Sequence, residues 1–171
     1  MNIYLICGKA GSGKNEVADY LCEKLDNSVI TAFSKYIKMF ALELTDWDGT
    51  DGHKPRKFLQ EMGDNLRAID PNFLTKRMKE DIEVYELQGI KNVIISDVRL
   101  LNEVEYFKKI KKYNVITIRV NSEVSTRVLT EEQKMHHTET ELDNYKEYNY
   151  VIENAFDRSL YEYVDKIVEG R

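Results

Sequence analysis

Seven consecutive residues near the start of the chain, Gly8-Lys9-Ala10-Gly11-Ser12-Gly13-Lys14, place two glycines and a lysine at the GxxxxGK spacing. That spacing suits a phosphate group. Glycines let successive backbone N–H groups turn inward around phosphate oxygens, and the lysine reaches the β- and γ-phosphates of a nucleoside triphosphate. The context strengthens the motif, because an apolar strand (Ile3–Cys7) runs into the loop and an amphipathic helix carrying Val17, Ala18, Leu21 and Leu25 leaves it. The residue after the lysine, where Ser or Thr commonly serves Mg²⁺, is Asn15. An amide oxygen can also ligate a hard cation or hold one of its waters, so Asn15 weakens the motif without voiding it.

A second chemical pair lies at Asp97 and Arg99, after the apolar run Val93-Ile94-Ile95-Ser96. A carboxylate ending a parallel strand stands where a metal near phosphates would need it; the alternative is an N-cap for a following helix. Arg99 suits a bidentate grip on phosphate or carboxylate. Residues two apart on an extended strand share a face, so both can look into one crevice.

The elements that must position these groups are legible as alternating apolar runs and amphipathic stretches, the pattern of a parallel sheet between helices. Strands are predicted at Ile3–Cys7, Val29–Ala32, Val93–Ser96, Val115–Val120 and Tyr148–Ile152. Helices are predicted at Lys14–Leu25, Lys35–Leu44, Pro55–Ala68, Pro71–Leu87, Asn102–Lys112 and Phe156–Val168, with Pro55 and Pro71 at first helical positions and Asp70 as an N-cap. Thr130-Glu131-Glu132-Gln133 fits a capping box. The 171 residues therefore read as one α/β domain, a three-layer P-loop fold with a five-stranded, mainly parallel sheet. Two excursions are longer than ordinary connections: 33–74 is expected to be a helical substrate-binding arm and 121–147 a lid-like insert.

Composition removes several function classes. A net charge of −5 argues against a nucleic-acid polymer as partner, and the Lys108, Lys109, Lys111 and Lys112 run reads as a solvated helix end. Cys7 and Cys22 read as buried thiols, with no disulfide or CxxC metal spacing. There is no signal-like segment and no apolar run long enough for a membrane, so a cytoplasmic location is expected. Asp46–Gly52 has the wrong carboxylate spacing for a Ca²⁺ loop and reads as a surface turn. His136 and His137 are adjacent, and on a helix they would point apart, a poor metal pair. The tyrosines near the C-terminus read as packing residues.

Four stretches together resemble the phage-type deoxynucleoside monophosphate kinases: Gly8–Lys14; Phe58-Leu59-Gln60-Glu61-Met62-Gly63 with Arg67; Ser96-Asp97-Val98-Arg99 with Asn102-Glu103; and His136-His137-Thr138-Glu139 with Leu142-Asp143. Their order and approximate spacing match along nearly the whole chain, and Asn15-Glu16 departs from the Asp-Thr often found there. The resemblance implies transfer of the γ-phosphoryl group of ATP to a (deoxy)nucleoside 5′-monophosphate, with Mg²⁺ organised by Asp97 and Asn15. ATP would meet Gly8, Lys9, Ala10, Gly11, Ser12, Gly13, Lys14, Asn15 and, near adenine, Asn154. The monophosphate would meet Lys38, Gln60, Arg67, Arg99 and His136. Lys14, Asp97, Arg99 and Arg127 would carry the transfer, with Arg119, Arg127 and His136 on the lid side. The implied setting is deoxynucleotide metabolism in the cytoplasm, a host's if the chain is phage-encoded; a homodimer is left open. Rival readings are a kinase for another small acceptor such as dephospho-coenzyme A, and a non-catalytic nucleotide-binding regulatory module.

Overall fold

A computed structural model describes residues 1–124 and 128–170. Five strands, β1 (Asn2–Cys7), β2 (Ser28–Thr31), β3 (Asn92–Val98), β4 (Asn114–Asn121) and β5 (Tyr150–Glu153), form one sheet in the order β2-β3-β1-β4-β5. Every pairing is parallel. The helices are α1 (Lys14–Lys24), α2 (Ser34–Leu44), α3 (Arg56–Ile69), α4 (Phe73–Leu87), α5 (Leu101–Lys108), the short α6 (Glu131–Met135) and α7 (His137–Thr140), and α8 (Ser159–Glu169); a 3₁₀ turn covers Glu141–Asn144.

Alternation along the strands divides the core in two. Ile3, Leu5 and Cys7 point with Val93 and Ile95 toward α2, α4 and α5, against Phe33, Ile37, Met78, Ile82 and Phe107. Tyr4, Ile6, Ile94, Ile118 and Ile152 point the other way, against Val17 and Leu21 of α1 and Leu160 and Val164 of α8. A sheet buried on both faces has near-continuous apolar strands, and that is why these runs are legible in the sequence. The three layers follow from it.

Because all strands run one way, their C-terminal ends share one edge. The Gly8–Lys14 loop leaves β1 there, Asp97 lies next to the end of β3 with Arg99 just beyond it, the polar 121–147 insert leaves β4, and Asn154 follows β5. The β1–β3 register slips between Leu5 and Cys7, so the pairing is irregular where the candidate residues begin.

Element boundaries moved for identifiable reasons. The last helix begins at Ser159 instead of Phe156, because Phe156 has φ 58°, in the left-handed region that cannot continue a right-handed helix. α5 stops at Lys108, and turns closed by Ile110 N–H onto Phe107 O and Tyr113 N–H onto Ile110 O lead into β4. The remaining lysines of that run therefore lie beyond the helix. Asp70 does not cap α4: Asn72 holds the cap position, and Asp70 accepts a hydrogen bond from its N–H at 2.9 Å. Pro55 stands just before α3, outside it. Cys7 is buried, and burial pushes its thiol up to about 12, whereas Cys22 is only half-buried. The Thr130 cap formed as expected, accepting from Gln133 N–H. None of the described helices is long and apolar enough to cross a membrane.

Candidate functional site

The 8–14 loop closes on glycines that no other residue could replace. Gly13, at φ 93°, caps α1 through backbone alone, and a Cβ there would lie 2.1 Å from Asn154 Nδ2. At Gly8 a Cβ would lie 2.4 Å from Val120 O. Held this tightly, the loop faces the positive end of the α1 dipole. Lys14 is buried, and its ammonium donates to the carbonyls of Gly8 (2.7 Å) and Lys9 (2.6 Å). The buried Ser12 hydroxyl has no hydrogen-bond partner among the described residues.

A carboxylate from the insert reaches this loop. Glu139, on α7, accepts a hydrogen bond from Ala10 N–H at 2.8 Å through one oxygen and pairs through the other with the Arg99 guanidinium. Its side chain is only 9% exposed, so the contact is shielded from water. A negative group therefore lies between the loop and Arg99.

Arg99 is itself placed by Glu103. One Glu103 oxygen accepts from the N–H groups of Arg99 (2.8 Å) and Leu100 (3.1 Å), while the other lies 3.8 Å from Arg67. Burial pushes the Glu103 carboxyl up to about 7, against the pull of those backbone donors and of Arg67. The sequence flagged Glu103 only within a resemblance; its position three residues into a helix is the signal of a carboxylate reaching back to backbone N–H groups.

Asp97 does not cap the helix that follows it. Its two oxygens accept from Phe33 N–H (2.8 Å) and Ser34 N–H (2.9 Å), which pins the start of α2 to the end of β3. Each oxygen keeps a lone pair, and the residue still borders the main cavity.

That cavity, about 540 Å³, brings together Ala10, Gly11, Gly13 and Lys14 from the loop, Asn15 from α1, Lys38, Gln60 and Arg67 from the 33–74 arm, Asp97 from β3 and Arg99 just after it. Asp19, Lys54 and Arg56 also line it. Sequence reading missed these three, since charged residues in a polar turn and on a helix face carry no spacing signal. A second cavity of about 510 Å³ adjoins the same loop, lined by Lys9, Ser12, Arg119, Lys134 and Asp143. Across it Asp143 pairs with Lys9 at 2.8 Å and with Arg119 at 3.4 Å.

Asn154 and His136 do not line these cavities, nor does Gly8. Asn154 is buried and braces the loop from behind, donating to Ser12 O at 3.0 Å and accepting from Phe156 N–H at 2.9 Å. His136 turns away to Asp64 on α3, at 3.0 Å. Arg127 lies outside the described residues. The expectation that His136 and His137 diverge is overturned: the backbone at His136 is extended (ψ 139°) between α6 and α7, and both rings swing to Asp64, with centroids 4.6 Å apart. The Asp46–Gly52 segment is the surface turn expected, with Asp48 accepting from Thr50 N–H at 2.9 Å.

No protein-family model matches the chain. Over 143 residues it is 30% identical to the uncharacterized protein ORF77 of Ictalurid herpesvirus 1 (strain Auburn), an alignment that covers 82% of this chain and 58% of that protein.

Proposed function

We propose that the chain is a P-loop nucleotide kinase, transferring the γ-phosphoryl group of ATP to a (deoxy)nucleoside 5′-monophosphate to give the diphosphate and ADP. The observation that carries this reading is the Glu139 carboxylate held between Ala10 N–H and Arg99. A carboxylate resting on a glycine-loop amide and an arginine at the mouth of a helix marks a place that favours an anion, as phosphate recognition requires. Two cavities adjoining that loop supply room for a donor and an acceptor.

In this reading the triphosphate displaces Glu139 from the loop. Lys14 turns from the Gly8 and Lys9 carbonyls to the β- and γ-phosphates. Arg99, released from Glu139, holds the acceptor phosphate with Arg67 and Lys38 beside it. An oxygen of the monophosphate then attacks the γ-phosphorus in line as ADP leaves, and the enzyme's work is alignment and charge neutralisation. Closure of the arm and insert excludes water. Mg²⁺ fits the oxygen donors of Asn15 and Asp97, which both border the main cavity. When bound it would neutralise charge on the phosphate oxygens.

Calorimetric titration tests the assignment of roles. ATP, which displaces Glu139, should bind Arg99→Ala no more weakly than wild type, whereas a nucleoside monophosphate should lose roughly 30-fold or more in Arg99→Ala, the worth of a buried charge-assisted contact. Equal monophosphate affinity in both proteins would remove Arg99 from the acceptor site.

A further inference from the structure

Two of the three histidines in the chain converge on one carboxylate. His136 Nε2 lies 3.0 Å from one oxygen of Asp64, and His137 Nε2 lies 2.9 Å from the other. The ligating atoms of all three residues lie within 4.8 Å of one another. We propose that Asp64, His136 and His137 form a Zn²⁺ site that ties α3 of the arm to the α6–α7 insert.

The separations suit the ion. Zinc bonds to imidazole nitrogen and carboxylate oxygen of about 2.0–2.2 Å put tetrahedral ligand atoms about 3.3 Å apart, so the histidine–Asp64 contacts of 3.0 and 2.9 Å would lengthen slightly and any wider separation, up to 4.8 Å, would close to admit the metal. Two imidazoles and one carboxylate select a borderline-soft ion over Mg²⁺, which takes oxygen. The outer contacts are in place. His136 Nδ1 accepts from Thr138 N–H at 3.4 Å and lies 2.9 Å from Thr138 Oγ1, so zinc at Nε2 requires the ring proton to move from Nε2 to Nδ1, where that hydroxyl can accept it; His137 Nδ1 faces Glu141 at 3.7 Å. Three protein ligands leave a fourth position for water or an incoming oxygen. The extended backbone at His136 is what makes the arrangement possible, since on a continuous helix the two rings would diverge.

The consequence is a cross-link between segments 72 residues apart in sequence. Asp64 lies one helical turn before Arg67, and the histidines precede Thr138 and Glu139, all three of which border the main cavity. A bound ion would hold arm and insert together over that cavity. The proposal does not rest on the phosphotransfer reading, because it concerns ligands outside the nucleotide loop.

The test uses the full chain without nucleotide. Zn²⁺ alone is titrated against a chromogenic chelator, and Co²⁺ is titrated while its visible absorption is followed. Wild type should bind one equivalent, give the intense absorption of a tetrahedral cobalt centre, and unfold at a higher temperature with zinc. Asp64→Asn and His137→Asn, whose folding is checked by circular dichroism, should each lose roughly 100-fold or more in zinc affinity. His136→Asn is the second histidine variant, should His137→Asn fail to fold. His53→Ala and Cys22→Ser should bind as wild type does. Binding undiminished in the Asp64 and histidine variants, or no tetrahedral cobalt spectrum in wild type, would overturn the site and leave a hydrogen-bonded latch.

Discussion

The carboxylate of Glu139 and the amide of Ala10 are joined by a hydrogen bond of 2.8 Å across 129 residues of chain, with Arg99 on the carboxylate's other oxygen. The insert thus supplies an anion to the loop. Any phosphate that takes this place must first displace it. Glu139→Gln keeps the shape and removes the charge, so ATP should bind about tenfold more tightly, near 1.4 kcal/mol. Calorimetry reads the change directly, and weaker binding would mean that Glu139 assists the nucleotide instead of competing with it.

Asp97 anchors the start of α2, and this role can be tested without any ligand. Its hydrogen bonds to Phe33 and Ser34 N–H anchor α2. Asp97→Ala should therefore lower stability by about 1–2 kcal/mol, the usual worth of a lost cap. Amide exchange at 33–36 should accelerate as well. Denaturant unfolding and hydrogen exchange measure both. Unchanged exchange there would show that the start of α2 is held by packing alone.

Glu103 makes a pH prediction whose sign is fixed. Its folded-state value of about 7 lies above the 4.5 of an ordinary glutamate, so the folded chain binds more protons than the unfolded chain between those values. The contribution is fully present below pH 4.5 and is lost as pH rises toward 7, by on the order of 3 kcal/mol. Glu103→Gln cannot titrate. Relative to wild type it should gain stability across that window and hold a constant difference above it. A difference independent of pH would show that the Glu103 carboxyl titrates normally.

The sheet was legible because its strands are buried on both faces and read as unbroken apolar runs. The residues of the Gly8–Lys14 loop were legible because glycine spacing is a local signal, and the structure does gather Lys14, Asn15, Lys38, Gln60, Arg67, Asp97 and Arg99 around one cavity. What the sequence hid is long-range pairing between side chains. Nothing local says that Glu139 reaches Ala10, that Asp97 caps α2 instead of the next helix, or that Asn154 faces the back of the loop. The histidines were misread because a continuous helix was assumed, and a single extended residue at His136 reverses their directions.

The most direct measurement follows the phosphoryl group itself. Wild type is incubated with Mg²⁺, ATP labelled at the γ-phosphorus, and each common ribo- and deoxynucleoside 5′-monophosphate in turn, and the labelled products are separated. At least one monophosphate should emerge as its labelled diphosphate with matching ADP, and Lys14→Ala should transfer roughly 100-fold more slowly or worse while remaining folded. Label that stays on ATP or passes only to water with every acceptor, or a Lys14→Ala protein as fast as wild type, would contradict the nucleotide-kinase reading.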